Sequence, residues 1–338
     1  GAVGIEEDLR AGDARGNFPA SLITKGPIIH AADDQRGLFV LVNEIRVLLP
    51  VRIAGVGDGD ESIHPGGSRF QSQSVIKMNV GYKGIPPRNR TAVESRTLYV
   101  CLHEWGGYAP VRHKHINNTI RDWECGLRYQ LERFGGHKEG VNLTVTISDA
   151  HLCRYIDQIV KCCDHLIPTS NEGMDFAGYA AFYERLKGSG NRYILLTNSS
   201  VNSFQCDFIE SYIDYMEHNQ DVGMLGISCC SKCYQSLIFN NFTPHLQSFF
   251  LLTTLAVLEE IVALNGNRFP GIGIRNKQLL IRHGEIRISQ LALQLGYKLA
   301  VVTEEGVKKF DNNPENWTLP IGDLRAYTDR PNSINPIR

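Results

Sequence analysis

The chain of 338 residues carries 35 Lys and Arg against 36 Asp and Glu, a balance that gives no overall field favouring nucleic acid or an anionic membrane. Its hydrophobic share of 42% is that of an ordinary globular protein, long enough for one large or two modest domains. The nine cysteines are odd in number and spread through candidate helices and strands, which favours reduced thiols over a disulfide framework.

The acidic start, "GAVGIEEDLRAG", lacks the apolar stretch of a signal peptide. The longest apolar run, "FFLLTTLAVL" from Phe249 to Leu258, is about half the ~20 residues a bilayer crossing needs and reads as a core helix. A cytoplasmic protein without a transmembrane segment, at most peripheral to a membrane, is the expectation. Asn-x-Ser/Thr triplets begin at Asn89, Asn117, Asn142, Asn198, Asn241 and Asn316. Asn142 and Asn198 fall in or at predicted core strands, where no glycan fits, so the triplets are read as chance.

Residues 1–96 are an N-terminal extension of uncertain structure. Within it "LFVLVNEIRVLLPVRIAGV" fits two strands or a helix and a strand, and "GDGDESIHPGGS" is loop. From Thr97 strands and helices alternate. "TLYVCL" (97–102) is a buried strand, and "IRDWECGLRYQLERF" a helix with Ile120, Trp123, Leu127, Leu131 and Phe134 on one face. "NLTVTI" (142–147) is a strand, and "HLCRYIDQIVKCC" (151–163) a helix with Leu152, Ile156, Ile159, Val160 and Cys163 inward. A short strand at "HLIP" leads to a helix that ends near Gly188-Ser189-Gly190. There follow a strand at 192–197, a helix at 207–219, a strand at 222–227, a long helix in 246–264, a Gly-rich loop at 265–284, a helix from about Glu285 to Leu295 and a strand at 298–302. These βα units predict an α/β fold over 97–302, a largely parallel, Rossmann-like sheet with helices on both faces. Residues 303–338, polar and carrying Pro314, Pro320, Pro331 and Pro336, read as a C-terminal tail or linker.

Ligands of such sheets bind beyond the carboxyl ends of the strands. Every strand there has a polar exit: His103-Glu104, Ser148-Asp149, Asn171 to Asp175, and Thr197 to Ser200. Each has a plain reading as a turn or helix cap; together they suggest a nucleotide site. In 271–302 Glu285 starts a helix with the apolar face Ile288, Leu291 and Leu295, and Arg275, Lys277, Arg282 and His283 put a cationic loop beside it. A carboxylate next to cations suits removal of a proton from a hydroxyl while a diphosphate departs.

The order of these elements resembles a GT-A glycosyltransferase, in particular the rhamnan-synthesis F type of bacterial polysaccharide glycosyltransferases. Four motifs carry the resemblance: Asn171-Glu172-Gly173-Met174-Asp175 before the central strand, Asn198-Ser199-Ser200 at its end, His245-Leu246-Gln247-Ser248-Phe249-Phe250, and Glu285-Ile286, Ile288-Ser289 with Gly296-Tyr297-Lys298. His103 is similar to that family's His at the end of the first strand. The resemblance covers about residues 97–302 and implies a GT-A-like fold that moves a sugar, such as rhamnose or another deoxysugar, from a nucleotide-diphosphate donor to a glycan hydroxyl with inversion. Glu285, eleven residues before Gly296, takes the place of the catalytic base. The implied donor-binding residues are His103, Asp149, Asn171, Gly173, Asp175, Asn198, Ser200, Arg282 and His283, and His245, Gln247 and Ser248 lie on the acceptor side.

Thr197-Asn198-Ser199-Ser200 occupies the place where the broader inverting GT-A group carries its metal-binding DXD motif, with amides and hydroxyls, poor ligands for a hard divalent ion. The expectation is therefore that Mn or Mg is not essential and that the 275–283 loop neutralises the diphosphate, with Asn198 and Ser200 donating hydrogen bonds; Asp175 or Asp149 remains able to supply a carboxylate. The expected partners are a nucleotide-diphosphate sugar and a glycan acceptor, with no nucleic acid, and residues 1–96 making a homodimer or an acceptor platform. Asp58-Gly59-Asp60 reads as a solvated turn, Cys230 and Cys233 as buried free thiols, and Arg112-His113-Lys114-His115 as a surface loop or a contact to a phosphorylated ligand. The competing class is a catalytically inactive GT-A-like module that binds glycan or scaffolds a complex. A dehydrogenase is disfavoured because no G-x-G-x-x-G follows the strand at 97–102.

Overall fold

The computed structural model describes residues 85–115, 122–231, 244–311 and 322–337. The chain divides by its internal contacts into residues 1–74 and 75–338, and every described residue belongs to the second unit. The apolar run of 38–56, the turn at Asp58–Asp60, Cys233 and the triplets at Asn117, Asn241 and Asn316 lie outside the described residues.

In chain order the first strands are β1 (Leu98–Trp105), β2 (Arg112–His115), β3 (Asp122–Cys125), β4 (Val141–Ser148), β5 (His165–Thr169) and β6 (Tyr193–Asn198). They are followed by β7 (Val222–Gly226), β8 (Cys229–Cys230), β9 (His245–Leu246), β10 (Phe250–Thr254), β11 (Lys298–Thr303) and β12 (Gly306–Phe310). The helices are α1 (Leu127–Phe134), α2 (Ile156–Cys162), α3 (Asp175–Leu186), α4 (Ile209–His218), α5 (Leu255–Leu264), α6 (Lys277–Leu280) and α7 (Arg287–Gln294).

Eight strands form one sheet in the order β12-β11-β7-β10-β6-β1-β4-β5. β1 pairs in parallel with β4 and β6, β4 with β5 and β7 with β11, whereas β10 runs antiparallel between β6 and β7, and β12 antiparallel to β11 at the edge. The expected α/β architecture forms. Alternate residues feed two cores, as a two-residue strand period requires. Tyr193 and Leu195 of β6 face one core with α1, α2 and α4, and Ile194 and Leu196 face the other with α3, α5 and α7. Among the described residues no helix is long and apolar enough to cross a membrane.

Several local expectations give way. The helix read over 120–134 is a strand, β3, and then α1; Gly126 separates them at φ 138, and a Cβ there would lie 2.3 Å from Pro110 O. The segment read as a helix from 151 is a 3-10 turn and then α2, and Leu152 and Val160, expected inward, are 45% and 56% exposed. The long helix over 246–264 is β10 followed by α5, with the Thr254 hydroxyl capping the helix at Val257 N. Glu285 does not begin a helix: residues Ile281–Ile286 form a π turn that continues into α7. The stretch after Val302 is no simple tail, since β12 closes the sheet and Asn332, Ser333 and Ile334 are buried. Residues before 97 also join the fold: Arg90, 6% exposed, donates through Nε to Val222 O at 2.6 Å.

Candidate active site

The carboxyl ends of the parallel strands share one edge of the sheet. There β6 ends at Asn198 and the chain turns at once through Ser199 and Ser200. Asn198 Oδ1 accepts from the Ser200 N–H at 2.8 Å, and Asn198 Nδ2 donates to Asp175 Oδ2 at 2.5 Å. One N–H of the amide is committed to Asp175, so Asn198 positions that carboxylate. Trp123 Nε1 and Asn332 Nδ2 donate to Ser200 O at 3.1 and 2.9 Å, and Gln130 Nε2 to Val201 O at 2.9 Å. Arg133, its pKa pushed down to about 10 by burial, holds Asn202 O and Phe204 O. The turn is rigid because its backbone carbonyls are tied from below.

Asp175 opens α3, where the helix N-terminus favours its charge. The preceding Met174 has φ 47 and ψ −126, a region that non-glycine residues seldom occupy. His103 lies beneath, with Nδ1 3.1 Å from Thr146 Oγ1 and Nε2 4.0 Å from Asp175 Oδ1. Burial lowers its pKa against the upward pull of Asp175, which leaves a neutral imidazole at pH 7. Gly178 makes room for it: a Cβ there would stand 2.3 Å from His103 Nδ1 and from Thr146 Oγ1.

Positive charge arrives from the β2–β3 hairpin, whose alternation turns Arg112 and Lys114 inward and leaves His113 and His115 exposed. Arg112 donates through Nη2 to Ser199 Oγ at 2.7 Å and through Nη1 to Glu104 Oε1 at 3.4 Å, and its guanidinium lies 3.8 Å from the centre of the Tyr108 ring. Lys114 Nζ donates to Ser200 Oγ at 2.5 Å; burial and then the Arg112 charge lower its pKa. Burial pushes the Glu104 carboxyl up, with Arg112 opposing. Among the described residues Glu104 Oε2 meets no donor and Arg112 Nε no acceptor. Hydroxyls at 199 and 200 add no negative charge beside Lys114 and Arg112, the latter already facing Glu104, whereas carboxylates there would neutralise them.

One strand over, Asp149 follows β4 in a left-handed conformation, φ 51, and accepts from Trp105 Nε1 at 2.7 Å and Asn171 Nδ2 at 3.2 Å. Gly173, φ 104, packs against the backbone of Gly271 and Gly273, which brings the Gly-rich loop to this edge.

Glu285 projects from the π turn with 14% of its side chain exposed. Its Oε2 accepts from both the Ser248 N–H and the Ser248 hydroxyl at 2.7 Å, and Oε1 lies 3.6 Å from His245 Nε2. Burial pushes its pKa up, but His245 and the Ser248 donors outweigh that and hold it below the usual carboxylate range. Ser248 O accepts from Tyr179 Oη at 2.9 Å, and the next carbonyl, Phe249 O, accepts from Asn198 N at 3.2 Å. Glu285 and Asn198 are thus linked through Ser248-Phe249, and Tyr179, its pKa raised by burial, feels both the Asp175 and Glu285 charges.

The residues singled out in the sequence fall into three groups at this edge. His103, Asp175, Asn198 and Ser200 stand together, Asp149 pairs with Asn171, and Glu285 joins His245 and Ser248. Gln247 is buried and accepts from Ser228 Oγ at 2.6 Å in the β8–β9 ribbon, not at the head of a helix. Arg282 and His283 are exposed on the π turn, and Arg275 pairs with Glu172 at the surface. Positive charge at the β6 exit comes from Arg112 and Lys114, in the segment read from the sequence as a surface loop or a contact to a phosphorylated ligand. The signal for them was the two-residue alternation of cation and imidazole at 112–115; that for Glu104 was its place in a buried strand.

Among the described residues no three His, Cys, Asp or Glu side chains stand together as a ready metal site. A divalent ion would have to recruit Asp149, Asp175 or Glu104, of which the latter two are already held by Asn198 and Arg112. No protein-family model matches the chain, and no curated protein matches it.

Proposed function

We propose that the chain is an inverting glycosyltransferase of GT-A type that transfers a sugar, such as a deoxysugar, from a nucleotide-diphosphate donor to a glycan hydroxyl. The observation that carries this reading is Glu285: an ionised carboxylate, fixed by Ser248, still partly open, and linked to a cation-bearing strand exit. A nucleotide-sugar reaction needs that combination. Glu285 accepts the proton of the acceptor hydroxyl as its oxygen bonds to the anomeric carbon. The bond from that carbon to the phosphate oxygen breaks on the opposite face, and the diphosphate leaves with the electron pair.

Arg112 and Lys114 receive the negative charge of the leaving diphosphate, and Asp175, held by Asn198, orients the donor sugar. Rigid placement by the tied-down turn after β6 supplies orientation without reorganisation during the reaction. In this scheme a divalent ion is not required for neutralisation. Chelator treatment that abolishes transfer, with recovery on adding manganese, would overturn that part.

The rival reading, an inactive glycan-binding or scaffolding module, draws on the same carboxylate, because a base held below its usual pKa is a weaker one. Thermal shift over nucleoside diphosphates, followed by donor hydrolysis with wild type and Glu285→Gln, separates the two. Transferase function predicts nucleotide binding in both proteins and hydrolysis in wild type alone. Nucleotide binding without hydrolysis in either assigns the module.

A further inference from the structure

Arg112 is the guanidinium that the transferase reading sets against the diphosphate, and its donors are countable. A guanidinium carries five N–H groups in one plane, one on Nε and two on each terminal nitrogen. Nε is buried and, among the described residues, meets no acceptor, so it is closed to a ligand. Nη2 gives one N–H to Ser199 Oγ at 2.7 Å, and Nη1 gives one to Glu104 Oε1 at 3.4 Å. One N–H is left on each terminal nitrogen, enough to meet two oxygens of a single phosphate when the plane is held. We propose that Glu104 is the positioning residue that holds it and so gives Arg112 a two-donor grip on the diphosphate, a role that rests on the transferase reading for its ligand but not for its geometry.

Glu104 is anchored in its own strand. Its side chain is 3% exposed near the end of β1, and Oε1 accepts from the Trp105 N–H at 2.9 Å. Arg112, by contrast, stands on a two-stranded ribbon outside the eight-stranded sheet, and its two side-chain hydrogen bonds reach the exits of the neighbouring strands β1 and β6. A long, rotatable side chain needs such fixed points on the sheet before its fork has a direction. The Tyr108 ring, its centre 3.8 Å from the guanidinium, covers one face, while Glu104 and Ser199 act in the plane of the N–H groups. Ser199 is the closer anchor, and Glu104 is the stop on the other side of the fork.

The two anchors also join each other. Burial pushes the Glu104 carboxyl up, and the Arg112 charge and then a hydrogen bond from Ser199 oppose it. Ser199 thus accepts from Arg112 and donates to Glu104, which a hydroxyl does and a carboxylate does not. A carboxylate at 199 would set a second negative group against the buried Glu104. The exit of β6 therefore carries a serine where β1 already supplies the acid. Oε1 accepts a hydrogen bond whether or not the acid is ionised, so the placement of Arg112 holds in either state.

Isothermal titration of the full chain with inorganic pyrophosphate tests this role in wild type, in Glu104→Gln, which keeps an acceptor, and in Glu104→Leu, which does not. The sign of the effect is decisive. Removing a negative charge beside an anion site tightens binding in both variants by Coulomb attraction alone, whereas a lost position weakens it. The expected Kd is roughly fivefold or more weaker in Glu104→Leu and within about threefold of wild type in Glu104→Gln. In an Arg112→Ala background, titrated to proportionally higher pyrophosphate, Glu104→Leu should add nothing. Thermal melting checks folding, and Glu104→Met, flexible and unbranched, takes the place of Glu104→Leu if the latter is unfolded. Binding to Glu104→Leu as tight as to wild type, an equal loss in Glu104→Gln, or an effect of Glu104→Leu that persists without Arg112 overturns the role. No pyrophosphate binding in wild type overturns it too, and takes the diphosphate part of the transferase reading with it. The expected ratios without any donor hydrolysis keep Glu104 as the positioning residue of a phosphate site and remove the transferase reading instead.

Discussion

Glu285 is an ionised group by construction, because the two Ser248 donors and His245 favour the charged form more than burial disfavours it. A depressed carboxylate stabilises the native state above its unfolded pKa, near ~4.3, and that contribution is lost as pH falls through the folded value. Wild type is accordingly expected to gain on Glu285→Gln in stability as pH rises through the region just below ~4.3, which paired urea titrations between acid and neutral pH will read. A difference between the two proteins that does not change with pH would show that the carboxylate is not held in its charged form. The acidic limb of kcat/KM is expected below the ordinary glutamate range for the same reason, and Glu285→Gln should lower kcat by roughly 10²- to 10⁴-fold. Ser248→Ala removes one donor to Oε2, and should move that limb upward while leaving the protein folded.

The β2–β3 hairpin is the element whose role the sequence displayed least. Four residues, Arg-His-Lys-His, carry the alternation, yet nothing local says which strand end they will cover. If Arg112 and Lys114 neutralise a diphosphate, Arg112→Ala should weaken nucleoside-diphosphate binding roughly 10- to 100-fold, as loss of a charge-assisted hydrogen bond does. Arg112→Lys should recover only part of this, since one ammonium cannot reach Ser199 and Glu104 as a guanidinium does. Equal nucleotide affinity in wild type and Arg112→Ala, by isothermal titration, would remove the hairpin from the site.

Other elements were misread for identifiable reasons. "FFLLTTLAVL" is apolar on every side, so no period separates strand from helix; Thr253 and Thr254, β-branched and then capping, mark the change at 254/255. Over 120–134 the apolar spacing fitted a helix, but Gly126 interrupts it with a conformation closed to other residues. Gly126→Ala is therefore expected to destabilise by about 1–3 kcal/mol, read as a lower urea midpoint, because the new Cβ meets both an unfavourable φ and the Pro110 carbonyl. By contrast β1 and β6 were legible because strands buried on both faces read as apolar runs, and β4, VNLTVTIS, by its two-residue alternation. The carboxyl-edge rule then located His103, Asp175 and Asn198 without any knowledge of side-chain contacts.

At the scale of the molecule the C-terminal stretch decides how the site is braced. Its polar, Pro-bearing sequence matched a linker, and composition alone does not show what a chain end packs against. Ile334 is fully buried in the core that α4 shares with β6 and β10, the core that also holds Phe208 and Tyr212. Around it Tyr212 Oη donates to Asn335 O at 2.8 Å, Asn202 Nδ2 to Pro331 O at 3.1 Å and Asn332 Nδ2 to Ser200 O at 2.9 Å. The end of the chain therefore holds the turn that carries Ser199 and Ser200, so its stability and the geometry of the cationic strand exit are coupled. A linker residue changed to alanine shifts stability by within about 0.5 kcal/mol, whereas a buried isoleucine loses about 2–5 kcal/mol through lost burial and the cavity left behind. Ile334→Ala is expected to follow the second figure, with an unchanged denaturant slope in urea unfolding. It should also weaken amide protection across 199–203, because the carbonyls there lose a fixed partner surface. A midpoint equal to that of wild type would mean that the last residues lie on the fold without supporting it, and the coupling between the chain end and the site would fall with that result.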